Sequence, residues 1–142
     1  MSDLRINWSG DRKGNGQVIY GDQTLPVAIP KEFQGSGEGF GPKELLAASA
    51  ATCFYTTLLH LVEVRKLPVI SFDMATEITN GDKNLEIYHE PKLVLSTSAS
   101  AEDKAAAERA IDSADKTCAV GNILKTAGIH IQIQIQKNIT IE

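Results

Sequence analysis

The chain has 142 residues, a net charge of -4, and 42% hydrophobic and 23% charged side chains. This length favours a single domain over residues 1–142 with a real core, in the composition of an ordinary soluble globular protein. The acidic balance argues against a nucleic-acid surface, no apolar run of about eighteen residues points to a membrane span, and the segment from Met1 to Trp8 lacks the apolar stretch of a signal peptide. A cytoplasmic protein is expected, in a compartment where thiols are kept reduced.

Residues 4–29 alternate loosely between apolar and polar, as short antiparallel strands do, with turns expected at Gly14, Gly16 and Gly21-Asp22. The stretch from Gly35 to Gly41, with glycine at every second position, is expected to be a flexible connection. Pro42 suits the first turn of a helix, and no breaker follows from Lys43 to about Arg65. Leu, Ala and Cys dominate this stretch, which predicts a long helix, apolar over much of its circumference and buried in the middle of the domain, ended by Pro68.

Residues 69–79 and 85–97 read as strands joined through Asn80-Gly81-Asp82, a hairpin signal. Ser100 followed by Asp103 predicts a capped amphipathic helix to Lys116, with Ala106, Ala110, Ile111 and Ala114 on its apolar face. A short helix from Val120 to Thr126 should end at Gly128. Ile129, Ile131, Ile133 and Ile135 alternate with His130, Gln132, Gln134 and Gln136, and Ile139 and Ile141 continue the parity, so the chain closes on a half-buried strand. No βαβ rhythm is visible, which predicts α+β with antiparallel sheets around a long central helix.

Chemistry points to the two cysteines. Cys53 lies within the long helix, where desolvation disfavours a thiolate unless a cation or hydrogen-bond donor reaches it from elsewhere. Cys118 lies between two helices, where the amides of the second favour negative charge. Redox-active thiols and buried structural thiols both fit this pattern. His60, His89 and His130 lack ligand spacing and there is no C-x-x-C, so no metal site is expected. Arg12, within Gly10-Asp-Arg-Lys-Gly14, suits a surface turn or an arginine aimed at a site.

The segment Pro42-Lys-Glu-Leu-Leu-Ala-Ala-Ser-Ala-Ala-Thr-Cys53-Phe54 resembles the OsmC/Ohr signature Asn-Pro-Glu-Glu-Leu-x-x-Ala-x-x-Ala-Cys-Phe. Cys118-Ala-Val-Gly-Asn-Ile-Leu is similar to that family's second motif, Cys-Pro-x-Ser-x-x-Leu, and the opening from Trp8 to Gly16 is similar to its entry strands. The resemblance implies an intertwined α+β homodimer and a thiol peroxidase for organic hydroperoxides, without a bound cofactor. Cys53 would attack the peroxide and form a sulfenic acid, Cys118 would resolve it as a disulfide, and an external dithiol such as a lipoyl protein would reopen it. In the family a carboxylate pairs with an arginine that supports the thiolate. Here Lys43 occupies the carboxylate position, Glu44 is the nearest acid, and Arg12 is the candidate arginine. Lys43 itself is an alternative source of positive charge. The other reading is a divergent relative that binds a small apolar ligand at the dimer interface.

Overall fold

The computed structural model describes residues 3–133 and 139–142. The chain forms two compact units, one up to Leu46 and one from Ala47 onward.

In the N-terminal unit, β1 (Leu4–Ser9), β2 (Asn15–Tyr20) and β3 (Gln23–Val27) form an antiparallel sheet in that order. Register pairs Ile6 with Val18 and Val18 with Leu25, so one face carries the apolar side chains. Gly16 lies within β2 opposite Trp8 rather than in a turn. The glycine-rich stretch is pinned rather than loose. Phe40 exchanges backbone bonds with Pro26 and Ala28, and the amides of Gly35 and Gly37 donate to Pro30 and Ile29. A Cβ on Gly35 would lie 2.0 Å from the Ile29 carbonyl oxygen, so this glycine serves close backbone approach.

The long helix α1 spans Pro42–Val64. Its buried residues from Ala47 onward, namely Ala47, Ala50, Phe54, Leu58 and Val62, recur every three or four positions. Burial is thus a stripe, not the whole circumference, and Leu59 and Val64 remain exposed. By length and composition α1 would suffice to cross a membrane, because its Ala, Cys and Leu raise the mean hydropathy to 1.6. Its stripe instead packs into the core of the C-terminal unit with Leu93, Leu95 and Ile111. Lys66 ends the helix at φ 51°, with Leu67 N–H donating to Val62 O and Lys66 N–H to Glu63 O. That is a Schellman closure, with Pro68 just beyond it.

The second sheet is mixed. β4 (Val69–Asn80) and β5 (Leu85–Leu95) form the expected antiparallel hairpin. β6 (His130–Ile133) and β7 (Ile139–Ile141) both join β5 in parallel, at Glu86–His89 and Leu93–Leu95. Two helices, α2 (Ala101–Thr117) and α3 (Ala119–Thr126), carry the chain back between β5 and β6, which is what a parallel pair requires. The α+β reading holds, and the expectation of purely antiparallel sheets is corrected in this second sheet.

α2 carries the expected reciprocal cap. Ser100 Oγ accepts from Asp103 N–H at 3.1 Å, and Asp103 Oδ2 accepts from Ser100 N–H at 2.9 Å. Its buried stripe is Ala107, Ala110, Ile111 and Ala114, with Ala107 taking the place expected for Ala106. Gly128, at φ 91°, closes α3 as expected, its N–H donating to Lys125 O. Ile129 is buried, and Ile131 and Ile133 are half-buried between exposed His130 and Gln132. The expected positions Gln134, Ile135 and Gln136 lie outside the described residues.

Candidate active site

Cys118 is the single residue between α2 and α3, the last cap of one helix and the first cap of the other. Its extended backbone (φ -66°, ψ 111°) turns the chain, and its Sγ accepts from Gly121 N–H at 3.3 Å. Ser, Thr, Asp or Asn ordinarily fills such a position. Here a thiol does, only 3% exposed.

Cys53, half-buried on α1, packs against the core cluster that contains Cys118. There the backbone of Val120, the Cys118 thiol and the backbone of Ala119 favour its ionised form. The start of α3 thus acts on both thiols: its Ala119 and Val120 backbone lowers the pKa of Cys53, and the Gly121 amide donates to Cys118 Sγ. The helix dipole, positive at this end, adds to their effect.

The two thiols consequently differ. Burial alone would push Cys53 up, but the amides of Val120 and Ala119, the Cys118 thiol and the Thr57 hydroxyl together hold it below its ordinary value. Cys118 is pushed up to about 11, first by burial and then because its own proton is held against the Cys53 sulfur. The Gly121 amide offsets only part of that rise. Cys53 is thus the more acidic of the two thiols and Cys118 the less acidic.

Side chains of α3 lock the corner from behind. Asn122 Nδ2 donates to Lys116 O at 2.9 Å, and Lys125 Nζ donates to Asp115 Oδ1 at 2.7 Å and to Asp115 O at 3.4 Å. The last carbonyls of α2 are thereby satisfied and the direction of the α3 amides is fixed. Phe54, next to Cys53, stacks on His89 of β5 at a centroid distance of 5.2 Å. His89 is 1% exposed and hydrogen-bonded through Nδ1 to Thr76 Oγ1 at 2.8 Å. Burial lowers its pKa to about 4, with Asp115 opposing and Lys125 assisting, so the ring is neutral at pH 7.

Arg12 and Glu44 lie in the N-terminal unit. Arg12 follows β1 on the turn, and its Nη1 donates to Gln34 Oε1 at 2.7 Å. Glu44 sits in the first turn of α1, and its Oε1 accepts from Gly41 N–H at 3.0 Å, the bond of a helix cap. Among the described residues, Arg12 and Glu44 form no ion pair with each other.

Sequence reasoning located both sulfurs and the α3 amides but gave those amides to Cys118. Two of them act on Cys53, lowering its pKa. A helix starting one residue after Cys118 was the available signal; its direction toward α1 is a tertiary fact. Asp115, Asn122, Lys125 and His89 were not singled out, since each is an ordinary helix or strand residue in isolation.

The profile of the OsmC-like protein family matches residues 35–134. A Bacillus subtilis relative, the uncharacterized protein YmaD, is 31% identical over 97% of this chain and 93% of its own length. Among solved structures, an OsmC-like protein from Mycoplasma pneumoniae superposes with a TM-score of 0.71 at 17% identity, covering 98% of this chain and 96% of that one. An organic hydroperoxide resistance protein OsmC from Legionella pneumophila gives 0.63 at 20% identity, covering 99% and 96%. Fold, both cysteine motifs and full-length similarity agree, and the chain belongs to the OsmC-like protein family.

Proposed function

We propose that the protein is a thiol peroxidase that reduces organic hydroperoxides to alcohols. One observation carries this reading: two free thiols remote in sequence pack in one core, and the more accessible of them is the more acidic. The name of the Legionella pneumophila relative supports the substrate class. The Cys53 thiolate attacks the terminal oxygen of ROOH and becomes a sulfenic acid as ROH leaves. Cys118 then displaces water from that sulfenic acid to form an intrachain disulfide. A dithiol, such as a reduced lipoyl protein, restores both thiols by exchange, and no bound cofactor is needed. The working form is a cytoplasmic homodimer.

A stoichiometric dose of cumene hydroperoxide tests the reading. Reduced protein should lose both thiols, gain one intrachain disulfide per subunit, and turn over when a dithiol is supplied. Retention of both thiols would sink it.

One observation favours a second reading. The N-terminal unit holds a cavity of ≈ 510 Å³ lined by Trp8, Val18, Ile29, Phe33, Phe40 and Leu45 among others. A small apolar ligand would fit such a site, and in a non-catalytic binder the thiols would survive the peroxide.

A further inference from the structure

Three aromatic rings lie outside the core on one concave wall of the N-terminal unit, and the thiol chemistry uses none of them. Trp8, Phe33 and Phe40 are 39%, 58% and 39% exposed, and all three line the cavity of ≈ 510 Å³. Exposed apolar surface gathered in this way marks a binding site rather than a scatter of surface residues. We infer that this cavity is a preformed site for an uncharged aromatic molecule of one or two rings. The inference rests on the ligand-binding reading of the same cavity and names the class of its ligand.

The floor of the cavity is the apolar face of the sheet. Ile6 pairs with Val18 across β1 and β2, and Gly16 pairs with Trp8 on one side and Val27 on the other. A Cβ on Gly16 would lie 2.5 Å from the indole, so the missing side chain makes room for that ring. Phe33 and Phe40 come from the segment after β3. Phe33 N–H donates to Pro30 O at 3.0 Å, closing a 3-10 turn, and Phe40 is tied by backbone bonds to Pro26 and Ala28. Arg12 Nη1 holds Gln34 Oε1 at 2.7 Å and Ser36 Oγ holds Asn15 Oδ1 at 3.0 Å, fastening the same segment to the β1–β2 hairpin. The rings are fixed before a ligand arrives, which cuts the ordering cost of binding.

Chemistry of the wall selects the ligand. The volume falls within the range of small-molecule pockets, about 300–1,000 Å³. Polar atoms on the wall are already engaged: Trp8 Nε1 donates to Asp11 O at 2.8 Å, and Glu44 Oε1 accepts from Gly41 N–H at 3.0 Å. A ligand with its own donors or a charge would lose water here without replacing it. The charged side chains of the wall are Glu32, Lys43 and Glu44, two acidic and one basic, so an anion gains no net attraction. Three rings around one space favour an aromatic occupant, because ring pairs gain energy beyond the area they bury.

The probe is N-phenyl-1-naphthylamine, an uncharged aromatic whose absorption overlaps the emission of Trp8, the chain's one tryptophan. Titrated into the full-length protein, it should take up Trp8 emission and saturate at one equivalent per subunit. Naphthalene should displace it about 2- to 10-fold better than decalin, its saturated twin, and far better than 1-naphthoate. Val18→Phe fills the cavity from its floor and should abolish the transfer, whereas Phe40→Ala should weaken binding about 10-fold. Decalin or 1-naphthoate competing as well as naphthalene overturns the inference while sparing an apolar-ligand site. Absence of saturable transfer in the wild type overturns both, whether or not the variants fold. Transfer unchanged in the folded variants, or dissociation of a dimer by the probe in sedimentation, also overturns the inference, the latter by giving the cavity to a second copy. A wild type that binds the probe yet loses both thiols to peroxide ends the non-catalytic reading and leaves the site standing.

Discussion

Gly121 stands directly against the Cys118 sulfur: its amide donates to Sγ at 3.3 Å, and a Cβ built on it would lie 3.2 Å from the same atom. Gly121→Ala therefore forces the sulfur to shift while leaving the Ala119 and Val120 amides in place. Intrachain disulfide closure after one equivalent of peroxide should slow several-fold, read by quenched mass spectrometry. Closure at the wild-type rate would show that the corner has slack.

The opposite shifts of Cys53 and Cys118 predict well-separated titrations. Alkylation of Cys53 should rise with a midpoint below the ordinary value of 9.0, and that of Cys118 near 11. Lys125 favours the Cys118 thiolate electrostatically, so Lys125→Met should move the Cys118 midpoint further up and Lys125→Arg should restore it. Peptide-resolved alkylation across pH measures both. A single shared midpoint would contradict the assignment.

Glu44 caps the start of α1, and a Gln can make the same bond. Glu44→Gln should keep both stability and peroxide turnover, whereas Glu44→Ala should lose roughly 0.5–1 kcal/mol in urea unfolding. A large loss of turnover in Glu44→Gln would instead assign the carboxylate to the chemistry. Arg12→Ala, losing its bond to Gln34, should slow Cys53 oxidation if the family's arginine role belongs to it. An unchanged rate would place activation with the α3 amides alone.

His89 makes folding acid-sensitive. Its pKa falls from 6.5 in the unfolded chain to about 4 in the fold, so between those values the unfolded state binds more protons. Stability should drop as pH falls through that window, by roughly 3 kcal/mol when complete. His89→Phe preserves a ring against Phe54 and should flatten the profile. An equally steep profile in that variant would place the acid sensitivity elsewhere.

The proposed homodimer requires a covered apolar face. Ile70 and Val64 are 62% and 60% exposed in one subunit, and Leu59 is 44% exposed. Ile70→Glu should convert the dimer to monomer in sedimentation. Undisturbed dimers would move the interface to another surface.

What the sequence disclosed was local. The Ser100–Asp103 cap, the Gly128 stop and the continuous stretch of α1 each depend on residues a few positions apart, and each is found. What it withheld was pairing across long separations. Nothing in the Ile129–Ile133 alternation distinguishes a parallel from an antiparallel neighbour; two intervening helices decide that. Gly35 likewise reads as loose until the Ile29 backbone is found against it. At the site, both thiols were legible from their segments, but the effect of Ala119 and Val120 on the acidity of Cys53 depends on how α1 and α3 meet.

The donors that acidify Cys53 are supplied by a segment translated long after it. A growing polypeptide that ends before Val120 carries at this position an unremarkable thiol, slow toward oxidants. The acidity of this thiol is thus conferred only when the later segment has been made and has folded against it.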